Sequence, residues 1–126
     1  MLRKVAFTMY PVREVDRARD FYENKLGLKP GSVGNHDGQY WIEYDLPGGG
    51  CLALTNVTPA QPSEAAGGTV AFEVGDLDRL IGDLKAKDVT FRSDVIDTPV
   101  CRMAVCVDSE GNSFLLHQTK PKQEAG

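Results

Sequence analysis

An α+β fold built from two tandem βαβββ modules is predicted by three features of this 126-residue chain. Hydrophobic residues alternate between a strand period and a helix period along it. The order of those segments repeats once. Identical residues also recur at a constant offset of 62, as Val12/Val74, Asp16/Asp78, Arg17/Arg79, Lys25/Lys87, Val33/Val95, Gly49/Gly111 and Leu54/Leu116. The identities are sparse, and they carry weight because strands, helix and glycine turn recur in phase with them.

The first module spans 4–57. Residues 4–10 carry a strand pattern. Val15, Ala18, Phe21, Tyr22 and Leu26 lie near helical spacing over 15–26, and Gly27 follows where a C-terminal capping glycine belongs. Residues 39–46 are rich in aromatic and β-branched strand formers. Pro47-Gly48-Gly49-Gly50 is a turn, and 51–57 is the next strand. Residues 58–68, with Pro59, Pro62, Gly67 and Gly68, read as a linker.

The second module spans 69–119. Residues 69–74 are a strand, and Asp76 stands where it can cap a helix over 77–87. The apolar stripe of that helix is Leu77, Leu80, Ile81 and Leu84. Residues 89–96 and 101–107 are extended, Ser109-Glu110-Gly111-Asn112 turns, and 113–119 is the last strand. The tail, 120–126, is polar and expected to be flexible. Each module holds roughly 55 residues, too few for a self-sufficient core, so the two are expected to pack as a single domain, 1–126.

Composition excludes several classes. The net charge of −4 argues against a general binder of nucleic-acid backbones. No apolar run approaches the roughly 18 residues of a membrane span. Three cysteines, Cys51, Cys101 and Cys106, with no secretory leader expected at Met1-Leu2-Arg3-Lys4-Val5, point to a reducing cytoplasm. The spacing Cys101-x4-Cys106 matches no common zinc pattern, and the thiols read as small hydrophobes.

Two stretches carry a family resemblance. Asp20-Phe21-Tyr22-Glu23-Asn24-Lys25-Leu26-Gly27-Leu28 resembles an "FY…LGL" motif, and Asp108-Ser109-Glu110-Gly111-Asn112-Ser113-Phe114 resembles a "DPxGN" hairpin. Val70–Leu80 looks like the strand-to-helix entry of a second module. In this order and spacing they resemble the vicinal-oxygen-chelate superfamily: glyoxalase I, bleomycin- and fosfomycin-resistance proteins and extradiol dioxygenases. The resemblance implies two βαβββ modules curled into a U-shaped cup, a ligand in that cup, and a homodimer. One departure is Asp88, where the family often has glycine after the second helix; aspartate tolerates the left-handed conformation better than most residues.

Enzymes of the superfamily place His, Gln or Glu at four points, in the first and last strand of each module. The resemblance carries these onto Phe7 (Thr8 if the register slips), Ala53, Thr69 and Leu115. Phe7, Ala53 and Leu115 have no donor atom, and Thr69 offers only a neutral hydroxyl. Zinc, nickel or iron would require three or four imidazoles or carboxylates. The usual metal site is therefore expected to be absent, and no cofactor is expected.

Strand alternation places further side chains on the cup face. Phe7 and Met9 share it in the first strand, Cys51, Ala53 and Thr55 in 51–57, Thr69, Ala71 and Glu73 in 69–74, and Ser113, Leu115 and His117 in the last. His117 is a candidate general base or ligand contact, or a strand-end histidine. Glu73 is a candidate acid–base partner for it, or a solvated carboxylate. Trp41 either stacks on a planar ligand or sits in the core. Arg102 is an anion clamp if it faces the cup and a surface arginine otherwise. His36, in the loop 34–38, reads as solvated. Which face of 39–46 lines the cup is open.

Three functions fit. The first is a metal-independent protein that binds a small molecule, as drug-sequestering members of the superfamily do. The second is a lyase or dioxygenase with displaced ligands drawn from His117, Glu73 or His36. The third is an interaction module whose cup is filled by Phe7, Met9 and Leu115.

Overall fold

The computed structural model describes residues 1 and 3–121. Most of the tail expected to be flexible, from 122 onward, lies outside the described residues. The chain divides into two compact units: Met1–Ser63 with Ser109–Asn112, and Glu64–Asp108 with the chain from Ser113 on. Each unit holds one sheet and one helical segment, an α+β arrangement.

In the first unit the strands are β1 (Thr8–Pro11), β2 (Pro30–His36), β3 (Gln39–Asp45) and β4 (Cys51–Thr55). They lie in the order β1-β4-β3-β2, with β1 parallel to β4 and the other neighbours antiparallel. Helix α1 (Val15–Arg19) runs straight into a π-helical stretch, Asp20–Lys25, closed by the bond from Leu26 N to Phe21 O at 3.0 Å. The expected α-helix over 15–26 is thus α-helical only in its first half. The wider turn coincides with two adjacent buried rings, Phe21 and Tyr22.

Tyr22 stacks on Tyr44 (centroids 6.1 Å apart), and the Tyr44 hydroxyl donates to Glu23 Oε2 at 2.9 Å. Ile42 and Tyr44 are fully buried on this side of β3. The open question about 39–46 is therefore resolved: the Ile42–Tyr44 face packs on the helix, and Trp41, Glu43 and Asp45 point the other way.

Strand β2 had no hydrophobic signature, and its seven residues are all exposed. His36, expected in a loop over 34–38, ends this strand. The turn is only Asp37-Gly38, both at positive φ (51° and 81°), the pairing that a two-residue hairpin needs.

In the second unit β5 (Val70–Glu73), α2 (Leu77–Ala86), β6 (Thr90–Phe91), β7 (Ile96–Asp97), β8 (Cys101–Val107) and β9 (Ser113–Thr119) follow in order. The sheet order is β5-β9-β8-β6, with β7 also on β8 and β5 parallel to β9. The strand expected over 89–96 is reduced to the two short pieces β6 and β7 on the β8 edge. Leu77 and Leu84 of α2 are buried, as are Ala104, Cys106, Phe114 and Leu116 on the facing strands. Asp88 takes up the left-handed conformation at φ 61°.

The turn 109–112 is bound into the first unit by polar contacts. Glu110 Oε1 accepts the backbone N–H of Arg13 (3.0 Å) and Glu14 (2.9 Å), and Oε2 accepts Arg17 Nε (2.6 Å). Asn112 Nδ2 donates to Pro11 O and its Oδ1 accepts Ser63 N. The Glu110 side chain is 0% exposed. Burial alone raises its pKa; Arg17 and the two backbone N–H groups outweigh that and hold the carboxyl below its ordinary value.

Candidate functional site

Each unit presents the sheet face that lies away from its helix. On the first sheet Met9, Ala53 and Glu43 stand in register across β1, β4 and β3, and Trp41 stands opposite Thr55. Phe7, just before β1, meets Trp41 edge to face, with centroids 5.1 Å apart and planes at 89°. The Trp41 indole N–H donates to Glu43 Oε1 at 2.9 Å, which fixes the ring. Phe7 and Met9 are each 43% exposed. This is a partly uncovered aromatic surface with one polar edge.

Two residues expected on this face are buried. Ala53 is 0% exposed, a short side chain on a central strand between Met9 and Glu43. Thr55 is buried, and its hydroxyl is consumed by the backbone, donating to Tyr40 O and accepting Val57 N. Glu43 was missed, although it lies two residues from Trp41 on the same side of an alternating strand.

On the second sheet Glu73 and His117 are in register across β5 and β9, as are Ala71 and Leu115. His117 Nδ1 lies 2.7 Å from Glu73 Oε1. Thr119 donates its backbone N–H to Glu73 Oε2 (2.8 Å) and its hydroxyl to Oε1 (3.2 Å). The Thr119 N–H and then His117 hold the Glu73 carboxyl below its ordinary range. At the other end of the same face Thr69 Oγ1 and Ser113 Oγ are 3.4 Å apart. Leu115 is half-buried, and Met103 and Val105 of β8 complete the face in register with His117 and Leu115. Alternation along β8 would have supplied these two as well.

Arg102 is on the opposite side. Its guanidinium takes Asp78 of α2 in a two-pronged pair, Nη1–Oδ2 at 3.1 Å and Nη2–Oδ1 at 2.8 Å. The anion-clamp reading is thereby corrected: β8 turns Arg102 toward the helix, where its donors already have a carboxylate. His36 is exposed beside Asp37. An open groove of about 430 Å³ between Val12–Glu14 and Asn56–Gln61 involves none of the expected site residues.

The metal that the superfamily's enzymes use does not fit these residues. Phe7, Ala53 and Leu115 lack donor atoms, and the Thr69 hydroxyl is a poor ligand. Among the described residues no three His, Cys, Asp or Glu side chains gather to hold a cation. No helix among them is long and apolar enough to cross a membrane.

Each unit has its first strand parallel to its last and a helical segment between its first and second strands, the order expected of a βαβββ module. The chain belongs to the Glyoxalase/Bleomycin resistance protein/Dioxygenase superfamily, whose family pattern matches residues 4–116. Its fold is similar to that of TnmS3, an antibiotic binding protein from Streptomyces sp. CB03234, with TM-score 0.81 and 23% identity over 94% of this chain and 98% of that one. It is also similar to a glyoxylase/bleomycin resistance protein/dioxygenase domain from Frankia sp. EAN1pec, with TM-score 0.78 and 20% identity over 98% and 96% of the two chains. A superfamily member from Sphaerobacter thermophilus DSM 20745 gives TM-score 0.79 at 22% identity over 93% and 98%. No curated protein sequence matches the chain significantly.

Proposed function

We propose that this protein binds a small, planar, largely apolar compound without a metal, and holds it rather than transforms it. The observation that carries the reading is the Phe7–Trp41 pair, with Met9 beside it and Trp41 pinned by Glu43. A fixed ring that stays partly uncovered can stack on a ligand at little cost in side-chain entropy. The antibiotic-binding description of TnmS3 fits this reading. The exposure of Phe7 and Met9 favours an available surface over one filled by its own side chains. A cytoplasmic homodimer belongs to the same proposal.

Trp41 is the sole tryptophan, so its fluorescence reports on this face alone. Titration with a panel of planar aromatic compounds and antibiotics should quench it saturably, and Trp41→Leu should weaken binding at least roughly tenfold in a protein that still folds. Absence of saturable quenching across the panel would overturn the reading. The rival, a metal-dependent lyase or dioxygenase, predicts stoichiometric, tight binding of nickel, zinc, iron or manganese, and such binding would replace it.

A further inference from the structure

The second sheet carries a different kind of recognition element, independent of Trp41. Glu73 accepts hydrogen bonds at both oxygens: Thr119 N–H at Oε2, and Thr119 Oγ1 and His117 Nδ1 at Oε1. A carboxylate so engaged is an acceptor only, so the proton between it and the imidazole sits on Nδ1. In the neutral ring Nε2 is then left with a lone pair. No partner for Nε2 occurs among the described residues. On the side away from Glu73 its neighbours on the face are apolar: Met103 in register across β8, and Leu115 two residues earlier in β9. The His117 side chain is 31% exposed, so Nε2 is partly shielded yet reachable.

We infer that His117 Nε2, fixed by Glu73, is the hydrogen-bond acceptor for a ligand that presents a phenol-type O–H on an apolar ring. Met103 and Leu115 supply the apolar contact, and Glu73 is a positioning residue that acts through the imidazole. A site built around one oriented acceptor rejects an isostere that lacks the donor, because the lone pair loses water and gains nothing.

The test uses the full chain and the matched pair 2-naphthol and 2-methoxynaphthalene. Long-range ¹H–¹⁵N spectra at alkaline pH first report the ring tautomers of the two histidines, His36 serving as the exposed control. His117 should show Nδ1–H, and Glu73→Gln should shift it toward Nε2–H. Naphthol should then move the His117 ring signals and bind roughly tenfold more tightly than its methyl ether. His117→Phe, which keeps a ring and removes the lone pair, should bring that ratio to about one. An Nε2–H tautomer in the unaltered protein, equal affinities for the two compounds, or a ratio unchanged in His117→Phe would each overturn the inference. So would the failure of both compounds to perturb His117, a result that leaves the binding reading standing or falling on Trp41 fluorescence alone.

Discussion

Glu14 and Asp76 stand at equivalent points of the repeat, each just before a helix and each with extended backbone (φ −104°, ψ 93° and φ −139°, ψ 92°). Asp76 caps its own helix: its carboxylate accepts Arg79 N at 3.2 Å, and Gln118 Oε1 takes Leu77 N at 2.8 Å. Glu14 makes no side-chain cap. Glutamate is one methylene longer, and the compact ring that an aspartate closes onto the third helical N–H is lost. The entry to α1 is served instead by Glu110, 96 residues away, which takes the N–H groups of Arg13 and Glu14 and the Arg17 guanidinium. One helix is capped locally and the other by tertiary contact. A local cap contributes to one element. A tertiary cap also fastens the segment that carries it, here the turn 109–112.

The largest expected effect follows from that difference. Glu110→Ala removes the acceptor of two backbone donors and the Arg17–Glu110 ion pair, so it should cost about 2–4 kcal/mol. Urea denaturation with an unchanged slope would measure it. The comparison breaks if Glu110→Ala costs no more than Asp76→Ala. Acid should reveal the same carboxylate. Its pKa is depressed in the folded chain, so its contribution is present above the ordinary glutamate value of 4.5 and is lost as pH falls below it. Subtracting the pH profile of Glu110→Gln from that of the unaltered protein removes the exposed carboxylates common to both.

Asp76→Ala should cost about 1 kcal/mol, the usual worth of an aspartate cap, since Gln118 still serves Leu77. The converse substitution sharpens the point. In a Glu110→Ala background, Glu14→Asp supplies the local cap that the first module lacks, and it should recover about 1 kcal/mol. Recovery confined to that background would show that the two caps compete for one entry; recovery of equal size in the unaltered protein would show that they are independent. Chemical denaturation of the four proteins closes the cycle.

Glu110 also marks where sequence reading stopped. The turn 109–112 was legible as a turn, because Gly111 repeats Gly49. The partner of its carboxylate was not, because nothing local ties residue 110 to residue 14. The same holds across the molecule. Long periodic segments such as 77–87 and 113–119 were read with nearly their observed bounds. The glycine-rich β2 was not, since Pro30–His36 buries no face and so carries no alternation. In the site, alternation brought Glu73 and His117 to one face, and the structure bonds them. It left Arg102 open between two faces because the strand's parity was not fixed, and the carboxylate that decides it, Asp78 in the first turn of α2, lies 24 residues away in the chain. Thr55 failed for another reason: a hydroxyl on a central strand found the backbone first.

The smallest expected effect concerns how the helices end. Gly27 leaves the first helical segment at φ 75°, and Asp88 stands after α2 at φ 61°. A side chain in this region meets the following carbonyl, a penalty of about 1 kcal/mol or more that glycine escapes and aspartate partly offsets. Gly27→Ala should therefore cost about 1 kcal/mol, and Asp88→Gly should gain at most about 0.5 kcal/mol, because the freer unfolded chain takes back part of the relief. Nothing lies within 4 Å of a Cβ built on Gly27, so a loss there comes from the backbone and not from a clash. A Gly27→Ala protein as stable as the parent would show that this helix end relaxes to negative φ. The left-handed geometry would then be a preference of the turn and not a demand of the packing.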